Sequence, residues 1–351
     1  HRTHSKEMIL RAYTKLDRRD LRWRIGVVNT IFGATALLIC LLAPLVGPTP
    51  ISLRAVFDSS IPFTENVDAQ IFFIARLPRA LAGALVGAGL AGAGVVLQAL
   101  LRNPLATPFT LGVSAGASLG AILVIILGIP LSVAGIPSVP LASFAGALSA
   151  VGIVYTLARF RRQGLSTGIL LLAGVTLNSV FSAIIMFVQY LADYTQSFQA
   201  IRWLMGNLDV SSYSPIVSAL PFLIVAFLIF TWLPKPLNLL TLGAESAATR
   251  GVDVLRTQRL AFFSASLATG AAVSIGGPIG FVGIIIPHVV RLLVGADHRI
   301  VLPASLFLGA AFLVICDIAA RTLLSPLELP VGIITAMLGG PFFLWLLVRK
   351  R

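Results

Sequence analysis

The sequence predicts an all-α polytopic membrane protein of about ten transmembrane helices. Three observations carry that reading. Hydrophobic residues make up 57% of the 351-residue chain against 11% charged, more apolar surface than a soluble core can hide. The apolar residues fall into ten stretches of the length a bilayer asks for, roughly 20 residues each. The basic residues gather between alternate stretches, on one side of such a bundle.

The stretches can be justified in order. The first, 25–46, follows a basic segment, 1–24, that lacks a short apolar region ending in a small-residue cleavage site. It therefore reads as a retained helix and not a cleaved signal. The second and third, 77–101 and 109–128, carry Gly83-xxx-Gly87 and Gly112-xxx-Gly116-xxx-Gly120. Small residues at four-residue spacing let neighbouring backbones approach closely, which places both helices inside the bundle. The run Gly87-Ala-Gly-Leu-Ala-Gly92 is a formal match to the dinucleotide fingerprint, but no strand precedes it and no acidic residue follows about 20 positions on, so it is rejected. The fourth stretch is 138–158. The fifth, 168–191, presents Asn178, Ser182 and Gln189 on roughly one face, a polar stripe that spacing alone assigns equally to a pathway or to the bundle interior.

The sixth and seventh stretches, 215–233 and 258–276, are separated by the longest loop on the basic side, 234–258. Within it Leu242-Gly-Ala-Glu-Ser-Ala-Ala-Thr-Arg250-Gly-Val252 reads as a short helix, a glycine stop and a second turn lying parallel to the membrane, since plain connectors are shorter. The eighth to tenth are 278–294, 301–323 and 330–348. In the ninth, Asp317 and Arg321 stand four apart in the favourable acid-first order, either as a structural pair or with Arg321 turned to a partner. Cys40 and Cys316 lie within apolar stretches and read as buried, inert thiols.

The formal charge of +13 follows from the same arrangement. Twenty-one of the 26 Lys and Arg lie in the N-terminal segment, in 102–108, 159–162, 235–259 and 291–299, or at the C-terminus. With ten spans these all fall on one side, which the positive-inside rule makes cytoplasmic together with both termini. Nucleic-acid or lipid-specific binding is not needed to explain the basic pI. Arg54, Arg76, Arg79, Arg202 and Arg321 are the exceptions, outside or near the outer ends of helices.

Function classes can then be weighed. Apart from Asp317 the spans hold almost no ionisable groups, which disfavours an ion-coupled carrier and an intramembrane metalloenzyme. No G-x-x-x-x-G-K-[ST] loop is present, so ATP, if used, is hydrolysed by another polypeptide, which needs a docking surface on the cytoplasmic side. A self-standing channel or secondary carrier, an intramembrane enzyme and a structural membrane protein, in that order, are the alternatives to a transport subunit driven by a separate ATPase.

From about Arg76 to Trp345 the chain resembles the FecCD-type, BtuC-like permeases, the type II ABC-importer membrane subunits for ferric siderophores, haem and vitamin B12. The resemblance rests on Arg76-Leu-Pro-Arg79, Gln98 with Asn103-Pro-Leu-Ala106, Leu111-Gly-Val-Ser114, Leu171-Leu-Ala-Gly174, Trp203-Leu-Met-Gly206 and Leu242-Gly243. It continues through Gly280-Phe-Val-Gly283, Ile286-Pro-His288, Asp297-His-Arg299 and Glu328-Leu-Pro-Val-Gly332. It implies a single transmembrane domain, 25–348, with a coupling segment at 234–258 and a cytoplasmic tail, 349–351, in the bacterial inner membrane. It also implies a homodimer, two cytoplasmic ATP-binding subunits and a periplasmic or lipid-anchored substrate-binding protein. ATP and Mg2+ would sit on the ATPase partner and no cofactor on this chain, which would not itself be an enzyme.

The resemblance further implies roles for residues. Arg76, Arg79 and Arg321 match outward-facing arginines that hold acidic groups of the binding protein. Asn103, Leu105 and Thr167 match residues that narrow the pathway on the cytoplasmic side, and Asn103 also suits capping of the helix end before Pro104. Asn178, Ser182 and Gln189 match the pathway lining. Gly243, Glu245, Arg250 and Gly251 fall in the segment that meets the ATPase, where Arg250 replaces the more usual apolar residue. His288 belongs to the family pattern whatever the cargo, so it reads as structural and not as a haem ligand. Ferric siderophore is the default cargo, followed by haem and vitamin B12.

Overall fold

The structure is a computed structural model that describes residues 2–129, 132–133, 135–159, 167–210 and 212–349. Helix α1 (Arg2–Leu42) runs without a break from the basic segment into the first apolar stretch, and α2 (Leu53–Val56) and α3 (Val67–Gln70) lie in the connection to α4 (Leu77–Leu101). Then follow α5 (Val113–Leu127), α6 (Ser138–Arg159), α7 (Thr167–Tyr190), α8 (Tyr194–Leu204) and α9 (Ser214–Trp232). The loop after α9 folds as α10 (Pro234–Leu240) and α11 (Ala244–Ala248), and the chain ends with α12 (Val254–Gly276), α13 (Val282–Val294), α14 (His298–Thr322) and α15 (Val331–Arg349). A two-residue antiparallel ladder pairs Ser132–Val133 with Ile136–Pro137 before α6.

Among the described residues, seven helices are long and apolar enough to cross a membrane, and α5, α13 and α15 are shorter apolar helices. Together they coincide with the ten predicted stretches. Three boundaries differ for local reasons. The third stretch begins as a 3-10 turn, Pro108–Leu111, capped by Thr107, and Gly112 at φ +77° separates it from α5. The eighth is shortened because Gly277 and Phe281 both take positive φ, so the helix starts only at Val282. The second is lengthened, since a π turn, Ile71–Arg76, joins α3 to α4 in one apolar run of 35 residues. The predicted loop 159–167 lies outside the described residues over 160–166.

The core lies on α4, α12 and α14, whose apolar windows are 78%, 78% and 61% buried, whereas α1 and α7 are only 6% and 22% buried. Small residues explain the centre. A Cβ on Gly87 would lie 2.2 Å from the Gly309 carbonyl oxygen, so α4 and α14 cross backbone against backbone. Gly116 on α5 and Gly146 on α6 make the same kind of contact. Lipid offers apolar helices no hydrophobic incentive to associate, and close packing of this kind supplies the attraction instead. The rejected nucleotide fingerprint is therefore a helix-packing run: Gly89 faces Leu223 and Gly92 faces Phe230 and Leu306.

Hydrogen bonds then knit the connections at each end. At one end the Asn207 N–H donates to Gly276 O at 2.8 Å, Gly332 N–H to Gly206 O at 3.2 Å, and the Tyr213 hydroxyl to Phe73 O at 2.6 Å. At the basic end Arg24 donates to Val294 O at 2.9 Å, tying α1 to α13.

Candidate functional site

The polar stripe of α7 lines a cavity. Asn178, Ser182 and Gln189 face Ser114 and Ser118 of α5 across an open space of about 420 Å3, bordered by Phe109, Ile185, Met186, Leu204 and Pro278. α5 supplies the opposite wall because serines 114 and 118 stand one turn apart on a single helix face. The Asn178 amide donates to Phe109 O at 2.8 Å, which fixes its orientation, while Ser182 is exposed. Among the described residues no charged group lines this cavity, so its walls offer a solute weak, replaceable polar contacts. The spacing of α7 left pathway and bundle interior open; the stripe faces a cavity. Ser114 and Ser118 carried a signal, their four-residue spacing, that sequence reasoning did not use.

At the basic end Asn103, Leu105 and Thr167 are set apart by local geometry. α4 ends with Arg102 at φ +47°, Asn103 N–H reaches back to Gln98 O at 3.1 Å, and the Asn103 carboxamide oxygen accepts from Leu105 N–H at 2.9 Å. Asn103 thus caps the turn and leaves Leu105 projecting, 55% exposed. Thr167 opens α7 and is half-buried. Behind this loop Gln98 donates to Gly283 O at 3.1 Å and accepts from the Arg291 guanidinium, joining α4 to α13.

The segment 234–258 is split by Gly243, at φ +119°, into α10 and α11. Gly251 at φ +82° turns the chain into α12, with Val252 N–H on Ala247 O at 3.1 Å. Ala247 is buried, and Glu245 and Arg250 are exposed on the outside of the turn. A residue that sequence reasoning missed anchors this segment: the Asn238 amide of α10 donates to Asp297 Oδ1 at 2.7 Å and its oxygen accepts from His298 N–H at 2.9 Å. Burial raises the Asp297 carboxyl, but bonds from Arg299 and Asn238 outweigh it and hold the group at about 2. His288 lies in α13 with its ring edge-on to Phe342 of α15, centroids 6.0 Å apart.

The three motif arginines lie at the opposite end and are buried. Arg79 Nε is 2.7 Å from Asp317 Oδ1 and its Nη1 is 2.6 Å from Glu328 Oε2. Arg321 Nε is 3.1 Å from Asp317 Oδ2, an ion-pair contact, and its Nη2 donates to Ala43 O at 3.4 Å. Arg76 donates to the carbonyls of Pro44, Leu45 and Thr49. A charge taken out of water needs such partners, and here four charges close a neutral set with Arg76 held beside it on main-chain oxygens. The Asp317–Arg321 pair forms as spacing suggested. Glu328 is the member that reaches the surface, its side chain 45% exposed.

Residues 35–349 match the FecCD transport family. The chain belongs to that family. It is 36% identical over 307 residues to the hemin transport system permease protein of Yersinia pestis, which covers 87% of this chain and 90% of that protein. It is 44% identical over 297 residues to the cobalamin import system permease protein of Halobacterium salinarum, covering 85% and 78% respectively. Among solved structures, an inward-facing metal-chelate type ABC transporter superposes with a TM-score of 0.79 at 30% identity, covering 93% of this chain and all of that one. The chain is therefore an ABC-importer permease of the FecCD and BtuC type, a multi-span membrane subunit of a class that works with ATPase and binding-protein partners.

Proposed function

We propose that the chain forms the membrane pathway for a bulky iron chelate, a ferric siderophore first, with haem and vitamin B12 as the other cargoes of the family. The observation that carries this is the uncharged cavity between α5 and α7, walled by Ser114, Ser118, Asn178, Ser182 and Gln189. A wall of this kind passes a large polar chelate without gripping it. Relatives named for iron chelatin in Helicobacter pylori and for hemin in Yersinia pestis support the choice of iron. The apolar exposure of α7, with Leu172, Met186 and Phe187 each more than half exposed, supports a second copy across a two-fold axis. Leu105 and Thr167 then narrow the pathway at its cytoplasmic mouth. Both termini are cytoplasmic in the inner membrane, and ATP and Mg2+ act on two ATPase subunits docked at Gly243, Glu245, Arg250 and Gly251. A substrate-binding protein docks at the far end. There its carboxylates compete with Asp317 and Glu328 for Arg79 and Arg321, and with main-chain carbonyls for Arg76.

The test is reconstitution with the ATPase subunit and the neighbouring binding protein in vesicles. ATP-dependent accumulation of ferric siderophore is expected; accumulation of hemin or cobalamin alone would replace the cargo, and uptake independent of ATP would reject the reading. In the same vesicles, Glu245→Ala with Arg250→Ala should leave the complex assembled yet lower both stimulated ATPase activity and uptake. Unchanged values would move the coupling surface elsewhere.

A further inference from the structure

A second cavity, of about 490 Å3, lies at the basic end and shares no lining residue with the cavity between α5 and α7. It is bounded by Ile25 of α1, Thr231 and Trp232 of α9, Pro234 and Lys235 of α10, and Arg299 of α14. We infer that this cavity binds the phosphodiester headgroup of an anionic phospholipid.

The position of the site comes first. Ile25 lies within the apolar run Arg22–Leu45 and Trp232 ends the run Ser214–Trp232, so both walls stand where helices leave the bilayer. Pro234 then turns the chain into α10 at that level. Trp232 is 76% exposed, and Trp23, two residues before Ile25 on α1, is 71% exposed. Tryptophans of this kind sit at the headgroup layer. Basic pockets between helices on the cytoplasmic side are the sites that take anionic headgroups.

Chemistry points to the same ligand. Lys235 makes no ion pair among the described residues. Arg299 shares its Nε and Nη2 with Asp297, at 3.0 and 2.6 Å, so Lys235 provides the uncompensated charge and Arg299 a guanidinium beside it. The Thr231 hydroxyl hydrogen is committed to Leu228 O at 2.7 Å, which leaves cations as the donors. Arg22 is exposed one turn from Ile25 on α1 and adds a third positive group near the mouth. Above Trp232 on α9, Leu228 and Val225 repeat at helical spacing, 61% and 47% exposed. They form an apolar track along which an acyl chain can lie while its phosphate rests on Lys235. Free phosphate shares the charge but has no use for that track.

The experiment uses the permease purified with its ATPase subunits from nanodiscs of phosphatidylglycerol and phosphatidylcholine, with retained lipid counted by native mass spectrometry. Phosphatidylglycerol should be retained in preference to phosphatidylcholine and survive millimolar inorganic phosphate. Lys235→Ala should lower retention about fivefold, the effect of one basic side chain near an anionic surface, and Lys235→Arg should keep it. If Lys235→Ala fails to assemble, Arg22→Gln, at an exposed position, gives the same readout with a smaller loss. Equal retention in wild type and Lys235→Ala, equal retention of the two lipids, displacement by phosphate, or no lipid retained by the wild-type complex would each overturn the inference.

Discussion

Asp317 is 1% exposed and accepts from Arg79 while facing Arg321, whereas Glu328 meets the same Arg79 from a half-exposed position. Removing a charge from this cluster should therefore cost more inside the protein than at its surface. Replacing Arg79 with Ala leaves Asp317 buried with one cation instead of two and should destabilise the protein by about 3–5 kcal/mol. Glu328→Gln keeps a hydrogen-bond acceptor at the surface and should cost about 1 kcal/mol or less. Thermal unfolding in detergent decides, and equal losses would mean that burial does not set the cost. A second residue-scale expectation concerns Asp297. Its folded value of about 2 lies below the ordinary 3.8, so the stability it contributes is present above pH about 4 and is lost as pH falls through 2. The melting temperature of Asp297→Asn should accordingly differ from wild type at neutral pH and converge with it at strongly acid pH. A constant difference across that window would assign the effect to shape instead of charge.

At the scale of elements, glycine marks where helices touch and where they do not. Gly87→Val would drive side-chain carbon into the Gly309 carbonyl, which the α14 backbone cannot yield, with a cost of about 1–3 kcal/mol or more. Gly152 of α6 has nothing within 4 Å of its missing Cβ. Gly152→Ala should be neutral or stabilising by up to about 1 kcal/mol, since alanine favours helix. Comparing detergent-extracted yield and melting temperature of the two variants checks the packing directly. If Gly87→Val behaves like Gly152→Ala, α4 and α14 do not cross at that point. α10 shows the reverse case, an element whose place depends on one side chain: Asn238 bonds both Asp297 and His298, so α10 and α14 are mechanically joined.

For the whole molecule the expectation is a two-fold assembly with its narrowest point at the basic end. Cysteines at Leu105 or Thr167, in a background lacking Cys40 and Cys316, should form disulfides between two copies in at least one nucleotide state. Uptake should then be blocked until the bond is reduced. The Cα atoms must come within about 7 Å for this to happen. Failure to cross-link in the apo, ATP-trapped and ADP states would place these residues away from the axis. The projecting, 55% exposed Leu105 makes it the more informative of the two positions.

Composition, span length and the placement of basic residues are read along the chain, and they were sufficient for the class, the ten apolar helices and the glycine-packed interior. They describe how short segments behave in lipid, where every backbone polar group must be satisfied within its own helix. The polar stripe of α7 was legible for the same reason, as a pattern on one helix. Its partner wall on α5, the Asn238 anchor and the fate of the arginines were not, because each depends on residues far apart in sequence. Arg79 meets Asp317 and Glu328 across 238 and 249 positions. The motif, and its place at the end of the bundle away from most basic residues, could be read from the sequence; the burial of these arginines against internal acids and carbonyls was decided by tertiary packing, since a guanidinium removed from water takes whichever partners the fold brings within reach.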